Sequence, residues 1–357
     1  MPDILARMAV FARRTIAVST LACATALAAS PAVSADFEWS YYSVSPQMHP
    51  YSEILNRAFD RIEERSDGRL AIELVFFGET PYRGAEAEKL MRDGLGEMTE
   101  WLLGYSTSTY PLLSGPELPF LPEQPMDPAE HIVAIDQAWQ SPDVKTELDS
   151  ILERHDAIRL SRFYWPPQNH WMTEPMDSPE GFRGKKIREF SAEGIDFTNA
   201  IGATPVSMTA PEVYAGLQRG ALDGVVTAST SMIGLKWGEV LSAGYVTNFK
   251  LTTSLILVSE RAFESLPDDV KPILQEEMEI ATQEILDFMV ANEEQLHRQL
   301  EAEHGFTINY ATQEHYDQLR EIAQTQVWPA WVDRVGADVG QPILDGVLQS
   351  LKDASSQ

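Results

Sequence analysis

A chain of 357 residues, 44% hydrophobic and 23% charged, has the composition of a globular protein long enough for two lobes with real cores. Its 54 acidic and 27 basic residues give a formal charge of −27, which excludes nucleic acid and anionic membrane as partners. A single cysteine, Cys23, excludes a disulfide framework.

Residues 1–35 stand apart from the rest. Arg7, Arg13 and Arg14 form a basic region, residues 15–29 are small and apolar, and "VSA" closes the run at Ala35. This order is that of a secretory signal peptide, with cleavage expected between Ala35 and Asp36. Arg13-Arg14 suggests a twin-arginine signal, but "TIAV" matches it weakly, so the general secretory route is expected. Lipidation of Cys23 is disfavoured, because apolar residues continue past it and Thr20 stands where such sites carry Leu. Cleavage would remove Asp3 and the three arginines, taking the formal charge from −27 to −29 and leaving no cysteine. No later apolar run reaches the roughly 18–20 residues of a membrane span. A free, monomeric periplasmic protein is expected.

"FEWSYYS" (37–43) alternates as a first strand. In 52–68, Ile54, Leu55, Phe59 and Ile62 fall on one helical face and Asp67-Gly68 ends the helix. A strand over 69–77, a turn and a helix closed by Gly94 make a β-α-β-α start, which predicts a mixed α/β lobe. The proline-rich stretch 111–128 predicts an irregular connection, followed by one or two helices and a strand over 157–165 that runs into a rigid break at "PPQNHW". "KKIREF" predicts a strand, "SAEGIDFTNAIG" and "APEVYAGLQRG" helices stopped by Gly202 and Gly220, and "LDGVVTAST" another strand. "YVTNFKLTTSLILVS" is long and β-branched enough to cross back to the first lobe. Over 268–302, Val270, Leu274, Met278, Ala281, Ile285, Met289, Leu296 and Leu300 form one apolar stripe, predicting a long helix packed on the sheets with its acidic face solvated. A helical region over 312–353 ends the chain. The lobes are expected over 36–163 with about 253–290, and over 164–252 with about 291–357.

Catalytic signatures are absent. The seven histidines (49, 131, 155, 170, 297, 304 and 315) form no ligand pair, so no metal or cofactor is expected. The sequence has no GxSxG elbow and no glycine-rich phosphate loop. A carboxylate pair held across a cleft would make a hydrolase, but abundant acids make chance pairs inevitable. Two α/β lobes without a catalytic motif instead suit a ligand held at the carboxyl ends of the strands and enclosed by hinge motion. Arg188, near the end of its strand, shares a face with Lys186 and Phe190. Its guanidinium suits a bidentate clamp on a ligand carboxylate, and it equally suits an ion pair with one of the chain's many acids.

Between Ser178 and Gly224, "SPEGFRGKKIR", "GATPVSM" and "PEVYAGLQRGALDG" resemble the solute-binding proteins of tripartite ATP-independent periplasmic (TRAP) transporters, the DctP-like family. "ERSDGRLAIELVFFG", "AEAEKLMRDG" and "LILVSERAFESLPDDVKPILQEEMEIA" extend the resemblance over nearly the whole mature chain in matching order. The resemblance implies a type II-like, two-lobed periplasmic binding fold of mixed sheets, with an interlobe cleft and a long connecting helix. It implies a binding protein rather than an enzyme, which captures a small organic carboxylate by cleft closure and delivers it to TRAP membrane permease subunits. It also implies that Arg188 pairs with that carboxylate.

Departures from the family pattern bear on the ligand. Gln168 stands where sialic-acid-binding members carry a second arginine, Thr227 replaces a ligand-contacting asparagine, and Pro211 or Ala210 replaces a phenylalanine. The candidate site is therefore Arg188 with Gln168, Asn169 and Thr227 as neutral hydrogen-bonding groups. Trp165, Trp171 and Trp237 are the candidate walls, with Tyr164 nearby. These walls suit an apolar or aromatic body, or a zwitterion whose cation meets an aromatic box. Glu212 and Asp223 read as helix-start and turn residues. An exported hydrolase and a module reporting to a sensor kinase are the alternative readings.

Overall fold

The computed structural model describes residues 35–354. Residues 1–34 of the expected leader, with Cys23, lie outside the described residues. The first part of the chain forms β1 (Phe37–Ser43), α1 (Pro50–Arg65), β2 (Leu70–Phe76), α2 (Ala87–Asp93) and β3 (Met98–Leu102). Two helices, α3 (Pro128–Ala138) and α4 (Pro142–Arg154), lead into the long β4 (Ala157–Met172). Next come β5 (Lys186–Glu189), α5 (Ala192–Ala200), β6 (Thr204–Ser207), α6 (Ala210–Gln218), β7 (Gly224–Thr227) and α7 (Thr230–Gly234). The chain returns through β8 (Ala243–Ser259), α8 (Glu260–Ser265) and the 34-residue α9 (Lys271–His304). It ends with β9 (Thr307–Tyr310), α10 (Gln313–Ile322), α11 (Trp328–Val335) and α12 (Ala337–Ala354).

One mixed sheet of order β2-β1-β3-β8-β4-β7-β5-β6 carries all of these strands, with β9 pairing β8. The two lobes are its two ends. Parallel β2, β1 and β3 make one end, and parallel β7, β5 and β6 make the other. Antiparallel β4 and β8 run through both. β8 pairs with β3 over Ser254–Val258 and with β9 over Ala243–Val246, so each half of this one strand serves a different lobe.

Local sequence accounts for the framing helices. In α1, Pro50 follows the cap residue His49, the stripe Ile54, Leu55, Phe59 and Ile62 is buried, and Asp67 and Gly68 turn the chain at positive φ. The stripe expected for α9 is buried along its length, against α1 and β4. Its acidic face is not simply solvated. Glu277, 3% exposed, takes Arg61 Nε at 2.6 Å and Arg65 Nη1 at 2.8 Å from α1, and Glu284 takes Arg57 at 3.3 Å. Ile285→Ala in this packed seam is expected to cost about 2–5 kcal/mol of stability, read by urea unfolding.

The expected break at "PPQNHW" does not occur, because β4 continues through it. Pro166 and Pro167 sit where the register shifts between Trp165, opposite Thr252, and Gln168, opposite Lys250. A bulge leaves an extra residue unpaired, so prolines without an N–H are tolerated there and the strand bends instead of stopping. A second, larger shift on β8 leaves the N–H groups of Thr247 and Asn248 outside the ladder, and Asn169 Oδ1 accepts both, at 2.9 and 2.8 Å. These irregularities fall in mid-sheet, where one lobe passes into the other.

Candidate functional site

The carboxyl ends of β1, β3, β5 and β7 converge on the bulged middle of β4 and β8. A cavity of about 50 Å³ lies there, lined by Val44, Ser45 and His49 after β1, Leu102 and Tyr105 at and after the end of β3, Arg188 and Phe190 at the end of β5, and Thr227, Ala228 and Ser231 at and after the end of β7. Trp165, Gln168 and Thr252 form its floor, and Trp237 and Leu235 close one side. This is where open α/β sheets place ligands. A wider groove of about 870 Å³ between the 121–127 loop and the end of α12 lies away from the strand ends and has no buried cation in its lining.

Arg188 dominates the cavity. It is 3% exposed, its Nε donates to Met208 O at 2.8 Å, and its Nη1 donates to Val226 O at 3.1 Å. Nη2 donates to the Tyr105 hydroxyl at 3.4 Å. The guanidinium lies over Phe190, with Cζ 4.8 Å from the ring centroid, and 5.7 Å from the Trp237 ring. Among the described residues no carboxylate lies within ion-pair distance of it. Burial without such a partner pulls its pKa below the usual guanidinium value. Three of its five N–H groups are engaged, which leaves one on each terminal nitrogen for the two oxygens of a single carboxylate.

The rest of the lining is neutral. His49 is buried, and burial lowers its pKa to about 3, so the imidazole is uncharged at physiological pH. Its Nδ1 accepts the Tyr51 N–H at 3.2 Å, which places the ring hydrogen on Nε2. The ring packs edge-on to Trp165 and directly against Gly234, where an added Cβ would lie 2.0 Å from Cδ2. That close approach joins the α1 end of the molecule to α7 at the opposite end. Behind this wall Glu100, fully buried, accepts from Ser254 Oγ at 2.7 Å, Tyr51 OH at 3.1 Å and Val44 N at 3.3 Å. Ser254 Oγ also receives Trp165 Nε1 at 2.9 Å, so one carboxyl group ties several wall residues together. The Thr252 hydroxyl, buried at the floor, has no hydrogen-bond partner.

Five of the seven residues expected from sequence meet at this cavity: Arg188, Gln168, Trp165, Thr227 and Trp237. Asn169 does not, because its side chain is spent on the β8 bulge. Trp171 does not either. Its Nε1 donates to Thr227 O at 3.1 Å, and its ring packs on His297 and Phe306 beneath α9. Tyr164, also off the cavity, donates to Asp136 at 3.0 Å. Tyr105, His49 and Phe190 line the cavity without having been singled out as ligand groups. Local signs existed for two of them: Phe190 alternates onto the Arg188 face, and His49 precedes Pro50 as a helix cap. Among the described residues no cluster could hold a metal ion, and no helix is long and apolar enough to cross a membrane.

Two lobes sharing two long strands, with the buried Arg188 facing a cavity at their junction, define a cleft-type solute-binding protein. The chain belongs to the bacterial extracellular solute-binding proteins of family 7, the DctP family, whose model matches residues 42–332. It is 28% identical over 218 residues to a solute-binding protein of Albidiferax ferrireducens, covering 60% of this chain and 61% of that one, so the match spans less than two thirds of that relative. It is 24% identical to the sialic acid-binding periplasmic protein SiaP of Vibrio cholerae, covering 73% of this chain and 77% of that one. The fold matches DctP7, a Bordetella pertussis extracytoplasmic solute receptor binding pyroglutamic acid, with a TM-score of 0.75 at 20% identity, over 87% of this chain and 99% of that one. The resemblance to TRAP solute-binding proteins read from the sequence therefore holds.

Proposed function

We propose that this protein works in the periplasm, captures a small monocarboxylate with an uncharged body between its lobes, and delivers it to a TRAP permease. The feature that carries this is the Arg188 guanidinium, buried at the strand ends and lacking a protein carboxylate. A buried charge in that state is stabilised by an anion that enters the cavity. Arg188 is the one basic residue among those lining the cavity, and no Asp or Glu lines it. A second ligand carboxylate or a ligand ammonium would therefore meet no opposite charge in the lining, which disfavours both dicarboxylates and zwitterions. The aromatic box that a zwitterion would need is already used, since Phe190 and Trp237 both face the Arg188 guanidinium. The cavity takes the bulk of roughly three to five waters, which suits a compact acid better than a sugar acid.

A thermal-shift screen with pyroglutamate, orotate, succinate, L-gulonate and ectoine tests this. Pyroglutamate is expected to give the largest shift and succinate a much smaller one. A ligand at 100 times its Kd stabilises by about 2.7 kcal/mol, several degrees in Tm. A larger shift with succinate would overturn the single-carboxylate assignment, and a larger shift with ectoine would overturn the uncharged body.

A further inference from the structure

We propose that Tyr105 is a ligand-binding residue that donates its hydroxyl hydrogen to the carboxylate held by Arg188, so that carboxylate capture itself draws the two lobes together. This rests on the carboxylate reading above and names a contact that reading does not contain. Tyr105 follows β3 at one end of the sheet, whereas Arg188 and α6 belong to the other end.

The hydrogen-bond inventory of the phenol oxygen points to the ligand. It accepts Arg188 Nη2–H at 3.4 Å and the Ala210 N–H at the start of α6 at 3.1 Å. A phenol oxygen has one hydrogen of its own to give. With both acceptor positions facing donors across the cleft, that hydrogen has no acceptor among the described residues, and the side chain lines the cavity. An anion on the Arg188 fork would lie beside it and supply the missing acceptor. The same oxygen would then bridge guanidinium, helix start and ligand.

The surrounding segment is built for this approach. Gly104 brings the backbone against Phe190, where an added Cβ would lie 2.6 Å from the ring. Tyr105 packs edge-on to the same ring, with centroids 6.0 Å apart. Thr107 Oγ1 accepts the Ala192 N–H at the start of α5 at 2.9 Å. Residues 104–107 thus touch the opposite lobe at three successive points. Tyr105 is the only one of the three that also reaches the cavity.

The test is a two-by-two comparison by calorimetry, of wild type and Tyr105→Phe against pyroglutamate and its neutral amide. A hydrogen bond to a charged group predicts that Tyr105→Phe loses about 10- to 100-fold affinity for the acid and much less for the amide. Small-angle scattering of the variant should also show less ligand-induced compaction at equal saturation. A purely structural tyrosine would weaken acid and amide alike, and an unchanged acid-to-amide ratio overturns the proposal for Tyr105 alone. Wild-type protein that binds none of the screened acids overturns both this contact and the carboxylate reading.

Discussion

Arg188→Ala is expected to abolish tight ligand binding while leaving the ligand-free protein folded. Truncating one partner of a buried, hydrogen-bonded charge pair costs about 2–5 kcal/mol, roughly 30- to 5000-fold in affinity. The loss falls at the upper end here, because no other cation lines the cavity and the ligand carboxylate would be stranded among Phe190, Trp165 and Trp237. Two effects oppose each other in the free protein. The carbonyls of Met208 and Val226 lose their donors, at about 1 kcal/mol each, while the desolvation of an unpaired guanidinium is relieved. The ligand-free Tm should therefore stay within a few degrees of wild type, and the ligand-induced shift should vanish. Arg188→Lys keeps the charge but cannot hold two carbonyls and fork a carboxylate at once, so an intermediate affinity is expected. Wild-type affinity for the best acid in Arg188→Ala, measured calorimetrically, would remove the arginine from the mechanism.

What the sequence disclosed about this fold follows from which physical signals are local. The α9 stripe and the α1 face are periodic burial, visible in any window of a dozen residues. β8 was legible as a crossing strand because "YVTNFKLTTSLILVS" is too long and too rich in β-branched residues for one lobe, and the strand in fact begins two residues earlier, at Ala243. β3 escaped notice because all five residues of "MTEWL" are buried, and a strand covered on both faces does not alternate. β6 and β9 have four residues each and, unlike the equally short β5 and β7, are largely uncovered, so no apolar run marks them.

Asn169 and Trp171 share one reason for missing the cavity. Both follow the bulge at Pro166-Pro167, which shifts the alternation of β4 by one residue relative to Trp165. Gln168 joins Trp165 at the cavity, Asn169 turns to the β8 backbone and Trp171 turns under α9. Tyr105 and His49 lie on connections, where no period operates, and reach Arg188 and Gly234 only through the meeting of the two sheet ends. Arg188 was readable because strand position, guanidinium chemistry and family resemblance agreed. Its lack of an acid partner among the described residues, in a chain with 54 acids, is set by the tertiary fold.

Stability is expected to peak between about pH 5 and 6 and to fall by about 1–2 kcal/mol from pH 6 to pH 8. Three fully buried glutamates set the alkaline side. Burial raises Glu100, Glu117 and Glu189 to about 7 from an ordinary 4.5. Their contribution is complete below 4.5 and is lost as pH rises through 7, because charging them in the fold is costly. Three buried histidines set the acid side. Burial lowers His49, His131 and His170 to about 3 from 6.5, so their contribution is complete above 6.5 and is lost as pH falls. Near pH 5.5 the unfolded chain binds about as many protons on these histidines as the fold holds on the glutamates, so the curve is flat there. From pH 6 to 8 the glutamates forfeit a few kcal/mol together and the histidines return somewhat less, because their unfolded titration near 6.5 is partly complete at pH 6. Glu117, which accepts the Thr253 N–H at 2.7 Å and is raised by burial against the opposing pull of Lys250, offers a test. Glu117→Gln keeps that acceptor and cannot ionise, so it should gain about 1 kcal/mol at pH 8 relative to pH 6 in urea unfolding. Wild-type stability that is level or rising from pH 6 to 8, or a Glu117→Gln difference independent of pH, would show that these buried carboxyls do not control the alkaline limb.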